Sequence, residues 1–316
     1  EIVDEMTVAP LQFGMIASYY NVQYTTIELF ASSLTANSTF RGLLEVLSAS
    51  SEYEALAMRH KEDRALQKLI SHSPDVKINR PDWSEPHTKV HALLQLYFSR
   101  TPLSSVDLQS DLKEILGKIL NLVRAMVDVI SSNGWLRALL AAMELSQLVV
   151  QAQWGRDSAL LQIPHFNRPL AAKCKAAGLE GVLDLIDMDD EPRNALLEFS
   201  EAKMVDIAAF CNGYPSMEVE YQLNAAISPE SEVTLTVTVE REMDEEDEEY
   251  ADAPVHAPQF PFPKMQGWWL VLGNVGSDSV AAIKRVAIKE TAQVVLKFDA
   301  PESAGKHAYK LYLMSD

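Results

Sequence analysis

Apolar positions are densest and most regular between residues 101 and 154. Over residues 105–133 they recur at intervals of three and four, which predicts a long central helix buried along one side. These positions are Leu108, Leu112, Ile115, Leu116, Ile119, Leu122, Val123, Met126 and Ile130. Ser104-x-x-Asp107 favours a helix start, and Asn133-Gly134 supplies the left-handed residue that ends a helix about 40 Å long. Residues 135–154 predict a second, almost wholly apolar helix, so we expect a helical bundle over residues 1–157.

Shorter helices are predicted on both sides of this pair. Four or five short segments lie between residues 9 and 73, where Thr25-x-x-Glu28 matches a capping box and residues 52–56 form one of the segments. Another helix is predicted over residues 89–100. After the pair, four short segments separated by glycine, proline and serine predict a small helix-loop-helix or helix-hairpin-helix-like domain over residues 158–213.

From residue 217 onward the apolar period changes to two, which is typical of half-buried strands. Six or seven such segments predict an immunoglobulin-like β-sandwich of the fibronectin III or E-set type over residues 214–316. Its longest connection, residues 240–264, combines the acidic tract DEEDEE at 244–249 with four prolines. Self-repulsion and proline oppose packing, so we expect this loop to be disordered. The predicted fold class is therefore multidomain, α then β.

Composition and charge exclude several classes of protein. Hydrophobic residues make up 47% of the 316 residues, yet no apolar run is long enough to span a membrane. A formal charge of −18 disfavours bulk binding of nucleic acid. Cys174 and Cys211 form no C-x-x-C motif, which argues against a zinc site and favours a reducing compartment. Because the sequence does not begin with Met, we expect it to be a piece of a longer protein.

The sequence carries no motif of catalysis or cofactor binding. The phosphate-binding and nucleophile motifs G-x-x-x-x-G-K-[ST], G-x-G-x-x-G and G-x-S-x-G are all missing. His87 and His91 have the spacing of two metal ligands on one helix face, but no third ligand accompanies them. We therefore predict no catalytic, cofactor-binding or metal-binding residue and no cofactor.

Two sets of residues are candidates for contact with a partner. The first is the polar stripe of the long helix, which is either its solvent side or a surface that faces another element. This stripe contains Asp107, Asp111, Glu114, Lys118, Asn121 and Asp128, of which the first five are the candidates for contact with a partner. The second is the pair Trp268 and Trp269. Because neighbours on a strand point to opposite faces, one of the two side chains is expected to point out of the sheet. It would then be either an exposed interface anchor or a residue covered by the 240–264 loop.

Several stretches resemble the Sec-sixty-three homology unit, which follows the motor domains in certain DExH-box RNA helicases and also occurs in an endoplasmic-reticulum translocation protein. They are GMIASYY at 14–20, EVLSAS at 45–50 and KVHALLQLY at 89–97. The likeness covers essentially the whole chain. In the spliceosomal helicases of this family, the chain resembles the homology unit of the C-terminal cassette. The resemblance implies that the long helix lies across the channel where single-stranded nucleic acid leaves the motor.

This chain departs from what gripping RNA requires. The long helix carries three basic against four acidic residues and no aromatic residue for stacking. In the small helical domain, the sequence DDEP at 189–192 replaces a glycine hairpin that would bind phosphate. These departures agree with what the resemblance implies for the C-terminal cassette, namely a regulatory and protein-binding role rather than unwinding.

The first hypothesis is a non-catalytic accessory module of a nuclear, spliceosomal RNA helicase, the parent protein being ATP-dependent. Its partners would be the motor domains of the same chain and other spliceosomal proteins, with no membrane contact. A module that grips the unwound RNA strand is the second hypothesis, although the charge disfavours RNA contact. A component of the translocation machinery of the endoplasmic reticulum is the third.

Overall fold

The first half of the chain folds as a bundle of helices, in agreement with the predicted class. The structure is a computed structural model that describes residues 11–223, 227–242, 253–303 and 305–316. Inward apolar side chains of the bundle share one core, in which Phe30, Leu47 and Leu93 are fully buried. The short helices of this half are α1 (Gln12–Tyr20), α2 (Tyr24–Ser33), α3 (Phe40–Ser48), α4 (Glu62–Ser71) and α5 (Pro86–Phe98).

The two long helices predicted at the centre of the bundle are confirmed. Helix α6 spans the 27 residues Val106–Ser132, and α7 spans Leu136–Gln151. The N-cap of α6 is Ser105 rather than the predicted Ser104, and its hydroxyl accepts a hydrogen bond from the backbone N–H three residues later at 3.5 Å. Between the helices, Gly134 adopts a φ of +72°, the left-handed conformation that glycine favours. The tight turn lets α7 pack against α6.

The start of α2 differs from the predicted capping box. Thr25 lies inside the helix and does not cap it. Instead, the Glu52 carboxylate accepts hydrogen bonds from the Gln23 N–H at 2.7 Å and from the Thr26 hydroxyl at 2.6 Å. The short helix predicted around Glu52 is only a 3₁₀ turn, Ser51–Tyr53, since this segment is tied to α2 by its side-chain and backbone hydrogen bonds.

A separate group of four short helices follows α7, as the sequence predicts. Their apolar side chains form a second core in which Leu160, Cys174 and Leu185 are fully buried. Asp189 is the N-cap of the third helix and Asp190 begins it, where the helix dipole favours negative charge. The four helices are α8 (Arg168–Ala176), α9 (Val182–Ile186), α10 (Asp190–Leu197) and α11 (Glu201–Gly213).

Six strands in the described ranges form two antiparallel sheets, with the orders β1-β2-β5 and β4-β3-β6. Their inner faces share a third apolar core, to which one sheet contributes Val237 and Val239 and the other Leu270. The prediction of a β region after the helices is confirmed by these sheets. The strands are β1 (Ser216–Leu223), β2 (Glu232–Glu242), β3 (Trp268–Asn274), β4 (Ser279–Val286), β5 (Thr291–Asp299) and β6 (Tyr309–Ser315).

Strand β3 is covered on both faces, and of the two alternatives left open for its outward tryptophan this rules out the exposed anchor. Trp268 joins the core between the sheets, whereas Trp269 joins the core of the helical bundle. They are only 8% and 3% exposed. Neighbouring side chains do point to opposite faces, but the bundle covers the outer one. Gly273 permits this close docking, because a Cβ there would lie 2.6 Å from a methyl group of Leu136 at the start of α7.

The expectation that residues 240–264 are disordered is wrong for the described residues 253–264. Phe260 is buried in the core of the bundle, and the side chain of Lys264 is buried as well. Aromatic and apolar side chains among the prolines supply the packing that composition alone did not indicate. The acidic tract at 244–249 lies outside the described residues.

Candidate interaction surface beside the long helix

The five candidate residues of the polar stripe on α6 lie in different environments. Asp107, Glu114 and Asn121 are exposed to solvent. Lys118 is partly buried and donates hydrogen bonds to a carboxylate oxygen of Glu114 at 2.9 Å and to a backbone carbonyl of the neighbouring 3₁₀ turn at 3.0 Å. Asp111 is buried. The stripe therefore offers three exposed residues to a partner rather than five.

Asp111 belongs to a buried ionic network that joins α4, α5 and α6. The Nζ atom of Lys89, which is 0% exposed, lies 2.6 Å from Asp111 Oδ2 and 2.7 Å from Glu62 Oε2. Arg59 binds the same two carboxylates from the edge of the network. Burial raises the pKa of both carboxyl groups, but hydrogen bonds from the two cations outweigh burial and hold each pKa below its ordinary value. The network is therefore a structural link between helices.

A cleft of about 420 Å³ opens beside the exposed side of α6. The ring of Phe262 packs over Gly117, where a Cβ would lie 3.4 Å from the ring. An aromatic side chain, which α6 itself lacks, is thus supplied by the segment after β2. The polar and aromatic residues of the cleft are Asn121 and Arg124 from α6, Phe260, Phe262, Lys264 and Gln266 from the segment, and Arg285 from β4.

Three cations meet one carboxylate at this cleft. Arg124 Nη2 lies 3.2 Å from Asp316 Oδ2, and Lys264 and Arg285 bind the same carboxylate, which is fully buried. Burial lowers the pKa of Lys264, and the nearby Asp316 acts in the opposite direction. The cluster carries more positive than negative charge, in contrast to the formal charge of −18 of the chain. It is the kind of site that attracts an anionic group.

Sequence reasoning missed Lys264, Arg285 and Asp316 as parts of a site. They lie in three segments far from α6 along the chain, and docking of the sheets on the bundle brings them together. Among the members of the cluster, only Arg124 lies on α6, as one of the three basic residues counted on that helix. No spacing in the sequence indicates the cluster.

The two histidines with metal-ligand spacing have structural partners. His87 Nδ1 lies 3.1 Å from the backbone oxygen of Ser48, and His91 Nδ1 lies 3.1 Å from the hydroxyl of the same serine. Both rings therefore tie α5 to α3. In the part of the chain that the structure describes, no group of three or more His, Cys, Asp or Glu residues is placed to hold a metal ion. Within the same ranges, no helix combines the length and apolarity needed to cross a membrane.

The outer side of α1 carries an exposed apolar patch, which we call the α1 patch: Leu11, Met15 and Tyr19. Its members follow one another at four-residue intervals, so they lie along one side of the helix, and Tyr19 is 81% exposed. Tyr24, at the start of α2, is exposed as well. A row of exposed apolar side chains along one side of a helix is a candidate contact site.

Comparison with known proteins identifies the family. Residues 10–316 match the model of the Sec63 Brl domain. The chain is 47% identical over 315 residues to the human U5 small nuclear ribonucleoprotein 200 kDa helicase, an alignment that covers 100% of this chain and 14% of the relative. It is 43% identical over 321 residues to the DExH-box ATP-dependent RNA helicase DExH12 of Arabidopsis thaliana, covering 100% of this chain and 15% of that protein.

The Drosophila melanogaster U5 small nuclear ribonucleoprotein 200 kDa helicase is 42% identical over 320 residues, again with 100% of this chain and 15% of the relative covered. This chain thus spans only 14–15% of the length of these three relatives. With a family match over nearly its whole length and relatives at 42–47% identity, the chain belongs to the Sec63 Brl domain family.

Proposed function

We propose that this chain is a non-catalytic accessory module of a nuclear, ATP-dependent spliceosomal RNA helicase and packs on the motor domains of its own chain. The observation that carries this proposal is the α1 patch, an exposed apolar surface on a chain that spans 14% of the human relative. Exposed apolar side chains are stabilised when another protein surface covers them. The remainder of the helicase chain is always present to form such a contact. Tyr19 is its most exposed member and would be the central anchor.

A titration between two separately produced parts tests the packing. One part is residues 1–316 and the other is the remainder of the helicase chain. Replacing Met15→Glu and Tyr19→Glu together places two charges in the α1 patch and should weaken association by at least about tenfold. The matched control is Val295→Glu on β5, which alters another exposed apolar residue far from α1 in sequence. Equal affinity for the α1 variant and the control would contradict the proposed contact.

We propose that the same module also docks other spliceosomal proteins during pre-mRNA splicing. Its acidic surface and the printed names of its relatives support this role. The proposed division is into a bundle (1–157), a small helical domain (158–213) and a β domain (214–316). The buried residues of the second and third cores fall within the last two parts, whereas the first core also takes in Phe260, Trp269 and Val271. The two packed sheets suit an immunoglobulin-like sandwich, a common binding scaffold. Nucleotide turnover by residues 1–316 alone would contradict a non-catalytic role.

The cation cluster favours a second candidate, a module that guides the unwound RNA strand. Arg124, Lys264 and Arg285 offer positive charge at the cleft, and Phe262 is an aromatic ring at its edge. A salt titration with single-stranded RNA tests this candidate, because each phosphate contact contributes to the slope of affinity against salt. If the cleft grips RNA, Arg124→Gln lowers that slope by about one, whereas Arg137→Gln at an exposed site leaves it unchanged.

A role in the endoplasmic-reticulum translocation machinery has less support. The relatives reported above are helicases by name, and they match 100% of this chain at 42–47% identity. We therefore place the helicase setting first.

A further inference from the structure

Strand β1 forms an open edge of its sheet. In the order β1-β2-β5 it pairs with β2 alone among the described strands. Every residue from Glu218 to Leu223 is exposed, on both faces of the strand. An uncovered strand of this length presents a row of unpaired backbone N–H and C=O groups that another strand can use.

The inner face of β1 is apolar and lies open. Val219 and Tyr221 stand directly opposite Val239 and Val237 of β2, so these four side chains share one face of the sheet. Val237 is 0% exposed in the core between the sheets, whereas its neighbour Tyr221 is 64% exposed. Leu223 continues the same face and is exposed as well. The apolar face of the sheet therefore extends beyond the part that the second sheet covers.

The outer face of β1 carries negative charge without local compensation from its cross-strand neighbours. Glu218 lies directly opposite Glu240 of β2, and Glu220 lies two residues further along the same face. Like charges that face each other across a sheet repel, so a cation placed beside them is favoured. Pairing β1 with β1 of a second copy would bring more glutamates together. The charges thus select against self-association and in favour of a basic strand.

We propose that β1 binds an extended segment of a partner protein in which apolar residues alternate with Lys or Arg. The segment adds a strand to the sheet by backbone hydrogen bonds. Its apolar side chains cover Val219, Tyr221 and Leu223, and its basic side chains lie beside Glu218 and Glu220. This proposal rests on the proposed docking of other spliceosomal proteins and assigns that docking to β1, a surface separate from the α1 patch. An experiment can therefore refute the β1 site while the contact through the α1 patch remains supported.

The test uses three labelled peptides, each as long as β1, and the 316-residue chain. The first peptide alternates valine and arginine. The second has the same composition with the valines grouped together, and the third alternates valine and glutamate. Binding measured by fluorescence anisotropy should be at least about tenfold tighter for the first peptide than for either control. Hydrogen exchange should show slower exchange of the β1 amides in the complex.

Substitutions locate the site. Tyr221→Ser removes the most exposed apolar side chain of β1 and should abolish the preference for the alternating peptide. Val295→Ser, on the opposite edge strand β5, should retain it. Both residues are exposed, so neither change removes a core contact.

Three outcomes would overturn the proposal. Equal affinity for the alternating and grouped valine–arginine peptides would show diffuse attraction to an acidic chain. Protection of amides outside β1 would place the peptide elsewhere. Concentration-dependent dimerisation that protects the β1 amides of the free chain would mean that a second copy occupies this edge.

Discussion

Replacing Lys89 with methionine tests the buried ionic network most sharply. The methionine keeps most of the side-chain volume but removes the ammonium group that lies 2.6 Å from Asp111 and 2.7 Å from Glu62. The two nearly buried carboxylates of Asp111 and Glu62 would then have Arg59 as their only remaining cationic partner in the network. Leaving a buried charge without its partner costs about 3–5 kcal/mol. We expect a loss of this size in the free energy of unfolding at neutral pH, with a melting temperature lower by on the order of 10 °C.

The assay is urea unfolding followed by circular dichroism at the helical band, with Lys297→Met as the matched control. Lys297 forms an exposed ion pair with Glu232, so its loss should change the free energy of unfolding by less than about 1 kcal/mol. In an Asp111→Asn background, the Lys89→Met change should cost less than in the natural chain, because one of the stranded charges is gone. If Lys89→Met costs no more than Lys297→Met, the network does not stabilise the bundle.

The pH dependence of this loss has a definite sign. The pKa values of Glu62 and Asp111 are lowered on folding from their ordinary values of 4.5 and 3.8. Their ion pairs therefore stabilise the fold fully above those values and less as pH falls through the lowered ones. In the Lys89→Met variant both carboxyls protonate more readily, which removes the uncompensated charge. The difference in stability between the two proteins should narrow as pH falls below about 4.5; a constant difference down to low pH would contradict this reasoning.

Three further substitutions test the packing by the same urea titration. Leu139→Ala in α7 removes a fully buried side chain and should cost about 2–5 kcal/mol, and an unchanged melting temperature would contradict the bundle. Gly273→Ala forces a Cβ against Leu136 and should cost about 1–3 kcal/mol, whereas Gly14→Ala, with no atom within 4 Å, should not destabilise; equal effects would contradict the close docking. Asp316→Asn leaves three cations around a neutral amide and should cost about 3 kcal/mol, and a change below about 0.5 kcal/mol would show that the carboxylate is not needed.

The sequence predicts those features that depend on one element alone. The period of α6 and the turn at Gly134 follow from local spacing, and the alternation along β3 correctly sends Trp268 and Trp269 to opposite faces. Local spacing does not tell which element covers the second face of a strand. For that reason the sequence left open whether the outward tryptophan is an exposed anchor or lies beneath the 240–264 loop; it is Trp269, and the helical bundle buries it.

The errors at the candidate site have the same physical origin. Asp111 has the spacing of a solvent-facing residue, but Lys89 and Arg59 from other parts of the chain enclose it. The cluster around Asp316 is assembled from α6, the segment before β3, and β4. Contacts between residues distant in sequence leave no period to detect in a single sequence, so only the folded structure reveals them.

Hydrogen exchange of the α1 amides tests the central claim most directly. The rates are measured in residues 1–316 alone and in the proposed parent helicase. If the module packs on the motor domains through the α1 patch, amides of Gln12–Tyr20 exchange more slowly in the full-length protein, while those of β5, which carries the exposed Val295, keep their rates. Equal rates for α1 in the two proteins would contradict the proposed contact.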